Sequence, residues 1–425
     1  MSHDDASPRN DTDRTPRLGR ALRTHLLPAL AGVVLVAFVG AMAVGAVTLP
    51  HEKTSALDGR DLATFPEAST SSLEDGSWMT GVESWLDDHV PARKRWLELH
   101  GTLATQALRA PVVDDVLVDD PQDMQLEKPV RLTVPDALGD NAQQLGEDVR
   151  AAGSKLLWVY VPRKEESFAD RLPAAWHNYY LDSAPKLKAA MERGGPLLDL
   201  TPVLSDPQHR DDYYWRTDHH WTPAGALAAI DAITARAAQL GVTIPDDLRP
   251  YTVHRYGDFI GSTGRKVTKG ATRRPDRFDV PEPPTWRARG CRGGTCDVPV
   301  FVVQHATDPD PYANRYLAFT GADHGYQRIE NHDPAARGTI MLVKDSFGDA
   351  LTTYLAERVS TLITIDERHY TGPDLKAVVK AQKPDLVIVM HNQVSVLGNL
   401  EFDSTAWVDM AKTLANRATS SQGDS

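Results

Sequence analysis

The sequence predicts an α/β fold, a three-layer sandwich with a mainly parallel sheet between helices, preceded by one transmembrane helix. Strand-like runs alternate with helical patterns through much of the 425-residue chain. These runs are apolar along their whole length, which is typical of strands covered on both faces. A stretch of 24 residues without charge, 26–49, lies near the N-terminus.

The N-terminal region predicts a membrane anchor. Residues 1–25 are polar and rich in arginine, and we expect a disordered cytoplasmic tail. A helix over 26–49 would be about 36 Å long, enough to cross a hydrocarbon core of ~30 Å. The arginines before it favour a cytoplasmic N-terminus and an exported remainder. A signal peptide cleaved near Ala41, Ala43 or Ala46 is the alternative, although the apolar run is longer than a usual signal core.

The charge balance of the chain bears on its partners. The formal net charge is −12, from 58 acidic and 46 basic residues. An acidic chain of this kind argues against nucleic acid as a partner, because phosphate binding needs clustered Lys and Arg.

Two cysteines, Cys291 and Cys296, bracket a short Gly-rich loop. Oxidation is permitted in an exported region, so a local disulfide is expected there. Zinc would need two further ligands at suitable spacing, and the nearby sequence offers none.

The chain after the anchor is predicted to contain a linker and one large domain. Residues 50–77 form a polar connector, and residues 78–425 form the extracytoplasmic domain, which opens with two helices divided at Pro91. Residues 244–300 are rich in Gly, Pro and Arg. We expect an irregular insertion or a set of hairpins there, rather than part of the core.

Within the domain, four apolar runs predict the strands of the sheet, and helical patterns lie between them. The strands are expected at 155–162, 338–345, 359–366 and 385–392. Binding sites in such sheets form beyond the carboxyl ends of the strands.

One stretch gathers titratable residues where a helix begins. It reads YYWRTDHHWTPAGALAAI, residues 213–230. One interpretation is that these residues only mark the start of the helix, with Thr222 as its N-terminal cap. In the other, His220 is a general base and Asp218 orients its ring, because alternate residues of an extended segment point the same way. By the same reasoning the His219 side chain should point away from His220.

A second stretch, MLVKDSFGDAL at 341–351, supplies a nucleophile. Ser346 lies at a strand-to-helix turn, where its hydroxyl can stand above the sheet. Backbone N–H groups at Ser346 and Phe347 could then stabilise an oxyanion. The alternative is that Ser346 only caps the helix. Together with Asp218 and His220, it would complete a Ser-His-Asp triad.

These stretches resemble the DHHW family, related to the AlgX/AlgJ-type alginate O-acetyltransferase proteins with SGNH-hydrolase-like domains. The resemblance rests on the two motifs and on further blocks, which are SLEDGSWMTGVESWLDDHVPAR, VYVPRKEESFADRLP, GDFIGSTGRKV and IDERHY. It implies an SGNH-hydrolase-like sandwich, with Ser346, His220 and Asp218 as the catalytic residues. It also implies exported O-acyl chemistry on a cell-surface glycan. The sequence departs from the wider superfamily at Lys344, where a glycine is usual before Asp-Ser.

Four more residues at strand ends are candidates for oxyanion or substrate binding. They are Asn392, Arg368, Tyr370 and Lys164. For Arg368, an ion pair with Asp366 or Glu367 is an equal alternative, and for Lys164 the alternative is a solvated side chain.

The predicted function is a membrane-anchored, extracytoplasmic O-acetyltransferase or acetylesterase that acts on an exported or cell-surface polysaccharide. No metal or other cofactor is expected, and the resemblance suggests a membrane-bound O-acyltransferase as acetyl-donor partner. A non-catalytic glycan-binding scaffold is one alternative. A metal-dependent phosphoesterase is another, because Asp-His-His also occurs there, but it would need further Asp-rich motifs at strand ends.

Overall fold

The computed structural model describes residues 27–247, 249–292 and 294–396. The expected tail 1–25, the first residue of the predicted transmembrane stretch and the end of the predicted domain, 397–425, lie outside these residues. The chain divides into two compact units. One comprises Met1–Ser55 and Arg60–Trp96, and the other comprises Ala56–Gly59 and Leu97–Ser425.

The first unit contains the apolar helix expected from the sequence. Its elements are α1 (Leu27–Thr48), β1 (Thr54–Ser55), β2 (Arg60–Asp61), α2 (Thr70–Glu74), α3 (Ser77–His89) and the start of α4 (Arg93–Thr102). The span Pro28–Thr48 has a mean hydropathy of 2.5 and is long enough to cross a membrane. A signal sequence near an N-terminus has the same properties. The break between α3 and α4 falls at Pro91, as predicted.

The second unit contains the remaining elements, each within a few residues of its expected position where one was expected. The strands are β3 (Val112–Val113), β4 (Val116–Leu117), β5 (Leu126–Glu127), β6 (Lys155–Val161), β7 (Leu197–Asp199), β8 (Thr252–Phe259), β9 (Asp276–Glu282), β10 (Arg289–Arg292), β11 (Thr295–Pro299), β12 (Tyr326–Glu330), β13 (Thr339–Lys344), β14 (Thr361–Asp366) and β15 (Leu386–Asn392). The helices are α5 (Leu138–Ala151), α6 (Lys164–Ser167), α7 (Tyr179–Gly194), α8 (Thr201–Leu204), α9 (Arg210–Tyr213), α10 (Pro223–Gln239), α11 (Ser262–Ala271), α12 (Val303–Ala306), α13 (Phe347–Leu355), α14 (Leu375–Gln382) and α15 (Gln393–Ser395).

An eight-stranded sheet forms the centre of this unit. Its strand order is β11-β10-β12-β14-β13-β15-β6-β7. The strands from β14 to β7 are parallel, and β12, β10 and β11 extend the β14 edge in antiparallel pairing. The predicted mainly parallel sheet is therefore confirmed, with an antiparallel edge that the sequence reading did not anticipate.

Helices cover both faces of the sheet, which makes the unit three-layered. Along β13, Ile340 and Leu342 pack on one face with α10 and α13. Met341 and Val343 pack on the other face with α5, α7 and α14. This alternation follows from the two-residue period of a strand, and it explains why apolar residues fill every position.

The expectation that residues 244–300 lie outside the core is wrong. Phe278 and Val280 of β9 are fully buried and belong to the same core cluster as α10 and α13. The segment also supplies β10 and β11 to the main sheet. Local composition was misleading because the buried aromatic residues here are far apart in sequence. Cys291 and Cys296 are joined by a disulfide between β10 and β11.

Candidate active site

Ser346 occupies the turn between β13 and α13. Its side chain makes no capping hydrogen bond to the helix, so the interpretation of Ser346 as a cap is not what the structure shows. The residue is partly exposed, whereas Asp345 and Phe347 on either side are fully buried. The Oγ atom lies 2.8 Å from Nε2 of His220.

The other ring nitrogen of His220 contacts Asp218. Oδ1 of Asp218 lies 2.7 Å from His220 Nδ1, and it also accepts the His220 backbone N–H at 2.9 Å. Burial opposes ionisation of Asp218, but the His220 ring, together with His219 and the Ser262 N–H, outweighs burial and holds the pKa of this carboxyl well below its usual range. The structure thus brings Asp218, His220 and Ser346 into one continuous hydrogen-bonded chain.

His219 lies beside His220, and the expectation that it points away is wrong. The two ring centroids are 3.8 Å apart. The reason is local, since the hydrogen bond from His220 N–H to the Asp218 side chain curls the segment, and the alternation of an extended strand is lost. His219 Nδ1 contacts Ser262 Oγ at 2.5 Å. Burial, followed by the nearby His220, lowers the pKa of His219 well below its usual value.

The irregular loop that carries Asp218 is held by a buried carboxylate from β9. Asp276 accepts the backbone N–H groups of Arg216 and Thr217 at 2.8 and 2.7 Å, and the Thr217 hydroxyl at 2.7 Å. Burial raises the pKa of Asp276. The sequence reading missed this residue, because no motif links it to the loop.

Lys164 holds the same loop from the side of β6. It is 1% exposed, so the alternative of a solvated lysine is wrong. Its ammonium donates to the carbonyl oxygens of Arg216 and Asp218 at 2.8 and 3.0 Å. Burial lowers the pKa of Lys164 to about 8. Substrate binding by Lys164 stays a prediction, and the observed contacts are with the loop.

Two of the expected oxyanion donors bond to Asp345. The Phe347 backbone N–H donates to Oδ1 of Asp345 at 2.9 Å. The Asn392 side-chain amide donates to Oδ2 at 2.6 Å and also to Ser395 Oγ at 3.0 Å. These bonds fix the ends of β13 and β15 next to Ser346. A role for Phe347 or Asn392 in oxyanion binding stays a prediction.

Arg368 and Tyr370 follow β14. The Arg368 guanidinium forms the ion pair with Asp366 that the sequence offered as an alternative, with Nη2 2.6 Å from Oδ2. It also lies 3.2 Å from Asp323. Tyr370 is 6% exposed and lines a cavity of about 630 Å³ together with Tyr326. Substrate binding by these two residues stays a prediction.

Lys344, where a glycine was expected before Asp-Ser, is accommodated by buried acids. Its Nζ lies 2.5 Å from Asp349 and 3.4 Å from Asp366. Gly348 leaves room for the lysine stem, since a Cβ at that position would lie 2.4 Å from Lys344 Cδ. Lys344 is therefore compatible with the turn that presents Ser346.

Two groups of side chains have the spacing of metal ligands. Asp218, His219 and His220 form one, and Asp323, Asp366 and His369 form the other. In the first group, the ring nitrogens described above contact Asp218, Ser346 and Ser262, and Oδ2 of Asp218 accepts the Ser262 N–H at 2.7 Å. In the second, the Arg368 guanidinium pairs with both carboxylates and opposes a second cation.

The first testable prediction concerns Gly261, which precedes α11. A Cβ at this position would lie 2.3 Å from Cβ of Asp218. Gly261→Ala should therefore displace the Asp218 side chain and lower the free energy of unfolding by about 1–3 kcal/mol, as overpacking does. Urea denaturation measures this effect. Lys266→Ala, an exposed change in the same helix, is the control and should cost less than about 1 kcal/mol. Equal stability of the two variants would contradict the close contact between position 261 and the Asp218 side chain.

The second prediction concerns Lys164 and pH. The pKa of Lys164 is about 8 in the folded chain, against an ordinary value of 10.5. Between these two pH values the unfolded chain binds the proton and the folded chain does not, so burial of Lys164 makes stability rise with pH. The slope from one proton is at most about 1.4 kcal/mol per pH unit.

Lys164→Met should remove this rise, as measured by urea denaturation at several pH values from 8 to 10.5. The exposed Lys266→Met change is the matched control and should retain it. Parallel profiles for wild type and Lys164→Met would show that the folded lysine titrates normally.

Comparison with known proteins gives two family matches. Residues 135–259 match the SGNH hydrolase-like domain of the acetyltransferase AlgX, and residues 204–365 match the DHHW protein family. The two matched regions overlap. Asp218 and His220 lie in both regions, and Ser346 lies in the second.

Individual relatives agree with these matches. A probable alginate O-acetylase AlgJ from Pseudomonas syringae pv. tomato is 27% identical over 195 residues, which cover 42% of this chain and 48% of the relative. The chain thus matches about half the length of this curated relative.

Two solved structures share the fold. A DHHW family protein from Eubacterium siraeum has a TM-score of 0.55 and 20% identity, over 69% of this chain and 96% of that one.

The second is Bacillus cereus PatB1 with a sulfonyl adduct, at a TM-score of 0.56 and 17% identity, over 67% of this chain and 97% of that one. At these identities the structural likeness shows the fold. With the two family matches, it confirms the resemblance drawn from the sequence motifs: the chain has an SGNH-hydrolase-like fold, and the matched regions are similar to the AlgX and DHHW family models.

Proposed function

We propose that the protein is a membrane-anchored, extracytoplasmic enzyme that transfers or removes O-acetyl groups on a cell-surface or exported polysaccharide. The single observation that carries the proposal is the hydrogen-bonded chain from Asp218 through His220 to Ser346, with contacts of 2.7 and 2.8 Å. Such a chain activates a hydroxyl that is otherwise a weak nucleophile.

The environment of each residue suits its proposed role. Ser346 is partly exposed and can meet a substrate, whereas His220 is 7% exposed and Asp218 is 3% exposed. The lowered pKa of Asp218 keeps this carboxyl ionised at neutral pH, where it can stabilise an imidazolium. The Asp218 contact to Nδ1 leaves Nε2 of His220 to exchange the proton with Ser346.

In the first half of the reaction, Ser346 Oγ attacks the acetyl carbonyl carbon of a donor ester. His220 Nε2 takes the hydroxyl proton as the new C–O bond forms. When the tetrahedral intermediate collapses, the donor's C–O bond breaks and His220 returns the proton to the departing oxygen. The products are an acetyl ester on Ser346 and the donor alcohol.

In the second half, a sugar hydroxyl or a water molecule attacks the acetyl-serine. His220 removes a proton from the attacking oxygen and then returns it to Ser346 Oγ as the ester bond breaks. A sugar acceptor gives an O-acetylated glycan, and water gives acetate. General-base assistance of this type contributes about 10²–10⁴ in rate.

The relatives support the acyl chemistry and the class of substrate. One matched family is named for an acetyltransferase, and the curated relative is named for alginate O-acetylation. A polysaccharide is accordingly the proposed substrate.

The apolar helix α1 supports the proposed location, with the N-terminus in the cytoplasm and the domain outside. Acetyl-CoA is a cytoplasmic donor, so a transferase outside the membrane needs acetyl groups passed across it. A membrane-bound O-acyltransferase is the proposed partner for that step.

The third prediction tests the triad in the full-length protein in detergent. Ser346→Ala and His220→Ala should each lower turnover of p-nitrophenyl acetate by at least about 10²-fold, because each removes the activated nucleophile. A sulfonyl fluoride should label Ser346, as located by peptide mass spectrometry.

Ser154→Ala is the matched control for that test. Ser154 is buried, and it precedes β6 at the opposite end of the sheet. Its turnover should equal that of wild type. Wild-type turnover in Ser346→Ala would refute the catalytic role of the triad. If EDTA then abolished this serine-independent turnover, the result would favour a metal-dependent phosphoesterase.

The fourth prediction separates transfer from hydrolysis. With an acetyl ester donor and a soluble oligosaccharide acceptor, mass spectrometry should detect an acetyl group on the sugar, and Ser346→Ala should form none. Release of acetate alone would identify an esterase. Binding of the oligosaccharide without any turnover of ester would identify a non-catalytic scaffold.

A further inference from the structure

The ring of His220 lies among other aromatic rings. Tyr316 stacks on it with a centroid distance of 3.9 Å and an interplanar angle of 5°. His219 lies 3.8 Å away at an angle of 37°. Of these two neighbours, the Tyr316 ring is the one that lies parallel to the His220 ring.

Tyr316 is itself held rigidly. It belongs to the short helical turn Arg315–Ala318 and is 4% exposed. Its ring packs edge-on against Phe319 at 5.3 Å, and its hydroxyl donates to the Phe347 carbonyl at 3.4 Å. The residue thus links the His220 ring to the helix that follows the nucleophile.

The stack places the face of the Tyr316 ring against the His220 ring. A cation over the face of a tyrosine ring is attracted by the negative potential of that face. His220 becomes an imidazolium when it takes the serine proton, so the attraction is strongest when the charge forms.

We propose that Tyr316 is a positioning residue for catalysis, whose ring face fixes the His220 imidazole and stabilises its protonated form during acyl transfer. This inference rests on the proposed function. Nothing in the sequence motifs assigns Tyr316 a role, because it lies outside all of them.

The groups that face His220 come from three segments. They are Asp218 and His219 of its own loop, Ser346 and the Phe347 ring of the β13–α13 turn, and Tyr316. Lys164 lies next to Asp218 and donates to its backbone carbonyl oxygen. Arg265 interacts electrostatically with Asp218, and Asp349 interacts in the same way with Tyr316. Burial and His220 hold the pKa of His219 low, so this second ring stays neutral and does not repel the imidazolium.

The fifth prediction follows from the ring face. In the full-length protein, Tyr316→Leu should lower kcat/KM for p-nitrophenyl acetate by about 3- to 30-fold, as expected for loss of a cation–π contact. The acidic limb of the kcat/KM profile should move to lower pH, because the protonated ring loses a stabilising contact. Tyr316→Phe keeps the face and should restore both properties.

Phe319→Leu is the matched control. Phe319 is fully buried and contacts Tyr316, but it does not stack on His220. It should reproduce the loss of stability from removing a core ring without moving the pH profile. Replacing Tyr316 by phenylalanines that carry an increasing number of ring fluorines preserves the shape of the ring and weakens the negative potential of its face. The value of kcat/KM should therefore fall with each added fluorine.

The outcomes distinguish this inference from the proposed function. An active wild type whose pH profile is the same in Tyr316→Leu and Phe319→Leu would overturn the role of Tyr316 alone. An unchanged kcat/KM across the fluorinated series would do the same. A wild type without turnover would overturn the proposed function, and this inference with it.

Discussion

The contact between Asp218 and His220 is the constraint on which the candidate site depends, and it lies in a loop without regular secondary structure. Such a loop does not hold a buried carboxylate by itself, because an uncompensated charge in the interior is costly. The Ser262 N–H and the His220 backbone N–H both donate to the Asp218 carboxylate. Two further groups hold the loop in place, since Asp276 accepts its backbone N–H groups and Lys164 donates to its carbonyl oxygens.

The proposed nucleophile is positioned by a different principle. Ser346 follows a central parallel strand that is paired on both sides and buried on both faces, so its backbone is fixed by the sheet. Asp345 then binds both the start of α13 and the end of β15 through Phe347 and Asn392. A rigid turn on one side and a supported loop on the other bring the serine and histidine together across 126 residues of sequence.

Sequence patterns predicted the central strands well, because their apolar runs are continuous and have the length of buried strands. They failed at residues 244–300, whose buried residues are separated by turns and whose strands pair with partners far along the chain. The orientation of His219 was also wrong. The His220 backbone N–H donates to the Asp218 side chain, and the resulting turn removes the expected alternation of side-chain directions. Sequence periodicity carries no information about such a bond.

The sequence by itself determined the candidates for the reactive groups, since Asp218, His220 and Ser346 stand in motifs whose local features, a helix start and a strand end, are encoded by neighbouring residues. Only the tertiary structure decided which groups surround them. Asp276 and Tyr316 come from segments with no local mark of their role, and they reach the loop and the His220 ring through long-range packing. Contacts of this kind depend on how distant segments are brought together, and a periodicity of two or 3.6 residues carries no information about that.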